Sequence, residues 1–251
     1  MVRQSRAAIV GFALSLGLAS AGAAQPLPAS AANEAGQSLD AAVAAAVASP
    51  ETAPEPDPTA PEAVSPATVL TNWVIATHDN HDLPFLVIDK VGAEVSIYDA
   101  SGQAMGRAPV LVGAAKGDES SPGVGDRELS HIPLAQRTTP AGRFVAKFGP
   151  ASGHKQVLWV DYPDAISLHA VITANKKERR LARLNSPTPN DNRITFGCIN
   201  VPTAFYHNVV VPLFKGTSGI VYILPDTRPL SEVFAAVPFP GELRQTASAD
   251  R

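Results

Sequence analysis

Short apolar runs bounded by turn residues dominate the chain beyond about Val69, and runs of that length predict strands rather than long helices. Phe85-Leu86-Val87-Ile88-Asp89 is continuously apolar up to its last residue, as a buried strand is, and Val95-Ser96-Ile97-Tyr98-Asp99 alternates as a half-buried one does. Ala100-Ser101-Gly102 supplies a turn into a third strand around residues 108–112, so the three read as an antiparallel meander. Residues 114–127, rich in Gly, Asp and Ser, read as a long loop. Thr139-Pro140-Ala141-Gly142-Arg143-Phe144 then turns into a strand running through Phe148, and residues 157–161 and 165–170 follow as two more around a Pro163-Asp164 turn. Residues 176–184 have helical character, and Pro202 suits the first turn of a helix over residues 204–214. Residues 218–224 close the pattern as a last strand, and no internal repeat is present. The expected fold class is mainly β, a β-rich α+β domain with a few short helices.

The two ends of the chain have a different texture. Arg3 and Arg6 precede an apolar run over residues 7–19, followed by Ala21-Gly22-Ala23-Ala24. This is the charged, apolar and small-residue order of a secretory signal peptide over residues 1–24. The apolar run is shorter than the roughly 20 residues of a membrane span, so no stable span is expected, an uncleaved signal anchor being the alternative. The protein is expected to be exported, to the periplasm or cell envelope. Residues 25–66 are rich in Ala and Pro, with six acids and no Lys or Arg, and lack the bulky apolar residues of a core. They read as a disordered, semi-extended acidic linker, with a marginal Ala-rich helix over residues 40–48. The domain boundaries are then 67–224 for the folded part and 225–251 for a loosely packed tail with five Pro or Gly residues.

Charge follows the same division. The net charge of −3 divides into +2 for residues 1–24, −6 for the linker and +1 for the rest. A nearly neutral folded part argues against nucleic-acid binding, which needs a basic excess. One cysteine in 251 residues excludes both an internal disulfide and a thiolate-rich zinc site. His78 and His81 lie in a polar loop, Thr77-His78-Asp79-Asn80-His81-Asp82, where a solvated surface explains them better than a metal. No metal and no cofactor are expected, and the chain is expected to be a monomer.

Cys198 therefore carries the chemical question. An exported protein that keeps one unpaired thiol either buries it as a small apolar residue or uses it. It stands in Arg193-Ile194-Thr195-Phe196-Gly197-Cys198-Ile199-Asn200-Val201-Pro202. Gly197 permits a backbone dihedral that other residues avoid, or a close approach to a ligand. A cysteine at a strand end has nearby N–H groups able to favour its thiolate.

These residues resemble the L,D-transpeptidase catalytic domain (YkuD-type), whose signature is a histidine in a strand and, downstream, Ser/Thr-His-Gly-Cys-apolar-Asn/Arg. Thr195, Gly197, Cys198, Ile199 and Asn200 fall on the second part, and His169 in Leu168-His169-Ala170 falls on the first. The Thr139–Phe144 turn and the two opening strands are also similar, so the resemblance covers roughly residues 84–224. It departs in two places. Phe196 stands where the family usually has a second histidine, and the 29 residues from His169 to Cys198 exceed the usual interval. The surplus is the polar, basic segment 175–192, either a solvated helix and loop or a lid whose Lys176, Lys177, Arg179, Arg180 and Arg183 face anionic carboxylates.

The resemblance implies an L,D-transpeptidase-like β-sandwich and a cysteine acyltransferase acting on peptidoglycan stem peptides. Cys198 would be the nucleophile and His169 its base, with a backbone carbonyl orienting the imidazole. Gly197, Thr195, Asn200 and Arg193 would serve the oxyanion or the substrate, Asn200 supporting either the loop or the ligand. Two alternatives stay open: hydrolysis of the thioester, as an L,D-carboxypeptidase or amidase, and a catalytically silent wall-binding module.

Overall fold

The computed structural model describes residues 64–151 and 154–239. The signal peptide, almost all of the linker and residues 240–251 of the tail lie outside that range. In chain order the elements are α1 (Pro66–Thr77), β1 (Phe85–Asp89), β2 (Glu94–Tyr98), β3 (Ala104–Pro109), β4 (Val112–Gly113), β5 (Gly142–Ala151), β6 (His154–Asp161) and β7 (Ile166–Ala170). They continue with α2 (Arg180–Leu184), β8 (Arg193–Thr195), β9 (Ile199–Val201), α3 (Thr203–Phe205), α4 (Val211–Phe214), β10 (Ser218–Ile223) and α5 (Leu230–Val233).

Eight strands form one mixed sheet in the order β3-β2-β1-β10-β5-β6-β7-β9. The opening meander is antiparallel, whereas β1 pairs with β10, and β7 with β9, in parallel. Leu111, just past β3, exchanges both backbone hydrogen bonds with Asn200 of β9, at 2.8 and 2.9 Å. The two ends of the sheet therefore meet, and the sheet curls around one core. That core takes alternate residues of nearly every strand, including Leu86, Ile97, Leu158, Leu168, Ile199 and Val221, and is completed by Tyr206, Val210 and Phe214. The helical stretch after β9 widens into a π turn over Tyr206–Val210. Pro212 follows, and proline both lacks an N–H and crowds the carbonyl one turn back.

A second apolar layer covers the outer face of β1 and β10. There α1 lays Leu70 and Val74, one turn apart and fully buried, on Phe85, Val87, Ile220 and Tyr222. The helix opens with Ser65 accepting from Thr68 N at 3.2 Å and with Pro66 in its first turn, and it stops at His78 in the left-handed region. The sequence reading, which expected a linker through residue 66 and strands from about 69, did not foresee it.

Two further expectations are corrected. The third strand runs over Ala104–Pro109, earlier than the apolar stretch 108–112. Val110 to Val112 is apolar because it lines the cores on its way to β4 and β9. Within the described part of the tail, residues 225–239, the packing is not loose: Phe234, Val237 and Phe239 are buried with α1, and residues 226–228 are bound to Asp118.

Candidate active site

Strands β7 and β9 position the candidate residues by parity. Ile166 and Leu168 on β7, and Ile199 and Val201 on β9, enter the central core. Alternation turns Ser167, His169 and Asn200 to the other face. The parallel register sets His169 opposite Asn200. Cys198, in phase with Asn200 and just ahead of β9, stands beside Ser167, with Sγ 3.6 Å from Ser167 Oγ and donating to Ala165 O at 3.5 Å. The thiol is partly exposed and the imidazole buried.

The imidazole is held at both nitrogens. Nδ1 lies 2.8 Å from Ala170 O. A carbonyl only accepts, so Nδ1 carries the hydrogen and Nε2 keeps its lone pair. Nε2 accepts from Asn200 Nδ2 at 3.2 Å. The amide is turned that way because its other end, Oδ1, accepts from Arg180 Nη1 at 2.7 Å. The carbonyl beside His169 is thus the backbone of its own neighbour.

The loop before Cys198 is wound tightly. Thr195 Oγ1 donates to Cys198 O at 2.6 Å and accepts from Gly197 N at 3.2 Å. Gly197 adopts φ +130°, and a Cβ there would stand 2.7 Å from both Ile166 Cδ1 and Thr138 O, so both dihedral and space require glycine. Gly197 O accepts from Thr139 Oγ1 at 2.7 Å, and that hydroxyl accepts in turn from Gly113 N at 2.8 Å. The Gly197 N–H is thus engaged by Thr195, and Thr195 serves the loop. Phe196 lies under the Arg137 guanidinium, 3.9 Å from ring centre to Cζ, a cation–π pair.

Behind Thr139 lies a buried cluster of charge that the sequence reading missed. Lys90 is inaccessible to solvent and spends its three ammonium hydrogens on Gly117 O at 2.7 Å, Asp118 Oδ1 at 2.7 Å and Thr139 O at 2.8 Å. Asp118 also accepts from the backbone of Asp226, Thr227 and Arg228 and from Thr227 Oγ1. Burial pushes its carboxyl up, but the hydrogen bonds from Lys90, Thr227 and the backbone outweigh that and hold it well below the usual carboxylate range. Arg193, expected at the substrate, belongs to this cluster instead. It pairs with Asp226 and donates to Ala115 O and Lys90 O, with 9% of its side chain exposed. Its charge is committed to a buried carboxylate.

The basic segment between β7 and β8 is divided. Arg180 and Arg183 turn inward, Arg180 to Glu178 and Asn200, Arg183 to the carbonyls of Glu178 and Asp191. Lys176, Lys177 and Arg179 are exposed. His78 is at the surface, 3.7 Å from the exposed Asp82. Among the described residues no helix is long and apolar enough to cross a membrane.

No family model matches the sequence, and no curated protein matches it either. The fold is similar to the catalytic domain of the E. faecium L,D-transpeptidase, at 15% identity and a TM-score of 0.34 over 57% of this chain and 97% of that one. It is similar to the helical cell shape determining protein Pgp2 from Campylobacter jejuni, at 10% identity and a TM-score of 0.40, over 64% of this chain and 57% of that one. The chain likewise spans 57% of an L,D-transpeptidase from Mycobacterium tuberculosis H37Rv, with 56% of its own length, 13% identity and a TM-score of 0.33. Several of the solved structures to which this chain is similar are L,D-transpeptidases.

Proposed function

We propose that the protein is a cell-wall L,D-transpeptidase that joins peptidoglycan stem peptides through a thioester on Cys198. One observation carries the reading. Cys198, partly exposed and just ahead of β9, has its thiol beside Ser167, and an imidazole fixed as its Nδ1–H tautomer projects from the same face of β7 two residues further on. That pairing supplies a nucleophile and a base on a rigid frame.

The steps follow from it. Cys198 Sγ attacks the amide carbonyl carbon on the carboxyl side of a diaminopimelate while its proton passes to His169 Nε2. The Asn200 N–H and the incoming proton cannot share one lone pair, so the amide draws back as the proton arrives. With the Gly197 N–H engaged by Thr195, the role of donor to the developing oxyanion falls to the Cys198 N–H, a contribution of about 3 kcal/mol. The carbon–nitrogen bond breaks, and D-alanine leaves with the proton from His169. The side-chain amine of a second stem then attacks the thioester, a new amide forms, and the thiol recovers its proton.

The signal-peptide pattern and the acidic linker suit an exported enzyme that reaches into the wall. Incubation of the purified full chain with a carbapenem, read by intact mass, tests the covalent step: one adduct is expected, absent in Cys198→Ala. An unmodified wild-type protein overturns the enzymatic reading in favour of a wall-binding module. Digestion products of a stem tetrapeptide then test transfer: new dimers are expected, whereas shortened stems alone mean hydrolysis.

A further inference from the structure

We infer that Arg180 is a positioning residue for the proton transfer, acting through Asn200 to hold the His169 ring as its Nδ1–H tautomer with Nε2 unprotonated. The inference rests on the roles proposed above for Cys198 and His169.

An isolated Asn opposite a histidine does not choose a tautomer, because its amide can turn either its oxygen or its nitrogen to the ring. Here the choice is made from outside. Arg180 donates to Asn200 Oδ1 at 2.7 Å, and a guanidinium has no acceptor, so the oxygen must face Arg180 and the NH2 must face His169. Ala170 O makes the matching demand on Nδ1. Two fixed partners therefore specify one protonation pattern, the one in which Nε2 can take a thiol proton.

Arg180 is itself held. It is 11% exposed and pairs with Glu178 Oε2 at 2.5 Å. Its helix α2 is anchored by Leu184, which is buried with Leu111 and Val171 and packed by Ile194. Leu111 is also the backbone partner of Asn200. The segment that lengthens the interval from His169 to Cys198 thus returns to the site at one place, the far end of the Asn200 amide. A merely solvated insertion has no reason to bury an arginine there.

The test uses the full chain and its Arg180→Ala, Arg180→Lys and Asn200→Asp variants, with two readouts. Nitrogen-15 NMR of labelled histidine reports the tautomer of His169, and the rate of carbapenem adduct formation reports proton transfer. Wild type is expected to show the Nδ1–H form alone. In Arg180→Ala a mixture of tautomers is expected, with acylation slowed about ten- to hundredfold, the range lost when an outer partner of a metal-bound histidine is removed. Arg180→Lys, which keeps a donor for Oδ1, should restore most of both. Asn200→Asp puts an acceptor at Nε2, so a ring protonated on both nitrogens and loss of acylation are expected. An unchanged His169 spectrum in Arg180→Ala overturns the inference, whatever Asn200→Asp shows. If wild type itself forms no adduct, the enzymatic reading fails, while the spectra still decide the role of Arg180.

Discussion

Replacing Lys90 with Met removes the cation that reaches both Asp118 and Thr139. The side chain is fully buried, and its three hydrogen bonds of 2.7 to 2.8 Å end on groups that have little access to water. Removing one partner of a buried ion pair costs about 3–5 kcal/mol. Asp118 keeps its bonds to Asp226, Thr227 and Arg228, which places the expected loss near the lower end, about 3 kcal/mol. That is a large share of a typical total of about 5–15 kcal/mol. With a slope of about 2 kcal/mol per molar urea, the unfolding midpoint should fall by about 1.5 M. Equilibrium unfolding followed by tryptophan fluorescence measures it. Adding Asp118→Leu to Lys90→Met should not recover the loss, because it also strips the acceptor from the N–H groups of Asp226, Thr227 and Arg228. A midpoint shift of less than about 0.5 M for Lys90→Met, equivalent to about 1 kcal/mol, refutes the claim that this ion cluster holds the domain together.

Gly197→Ala should cost about 1–3 kcal/mol through its dihedral alone, and more through the 2.7 Å approach to Thr138 O; a thermal melt within 1 °C of wild type rules this out. Thr139→Val leaves Gly197 O and Gly113 N without their partner and should cost about 1–3 kcal/mol, with slower carbapenem acylation of Cys198 read by mass. Acid should unfold the protein through Asp118. Its carboxyl is held below the range it has when unfolded, so the unfolded chain binds the extra proton, and the stabilisation is complete above a pH of about 4 and drains away below it. Urea midpoints measured from pH 6 down to pH 2 should fall on that limb, and a flat profile contradicts the assignment.

The strands were legible where side chains report burial locally. The runs at β1, β2, β7 and β10 carry their apolar residues in the pattern that the core uses. Strand β3 was displaced in the reading because Ala104–Pro109 is mostly solvent-facing and holds Gly and Pro, whereas the apolar stretch after it serves a different contact. Helix α1 escaped because only Leu70, Thr71 and Val74 are buried, too few to mark a helical period. At the site, the motif proposed Cys198 and Gly197 from residue type at short spacing, and His169 from its place in a strand 29 residues upstream. It misassigned Arg193, and it gave no hint of Lys90, Asp118 or Asp226, because ion pairing between residues 28 or more apart leaves no periodic trace. Gly197 and the turn that begins at Thr139 were each read from the sequence, whereas the bond joining them across 58 residues was not.

The segment that follows the final strand gathers on Asp118, and through Lys90 and Thr139 it steadies the turn in front of the sulfur. A polypeptide emerging amino end first completes this clasp only after Arg228 has joined. The turn before Cys198 is therefore steadied by contacts that a partial chain lacking residues 226–228 does not have, which ties its order to a nearly complete fold.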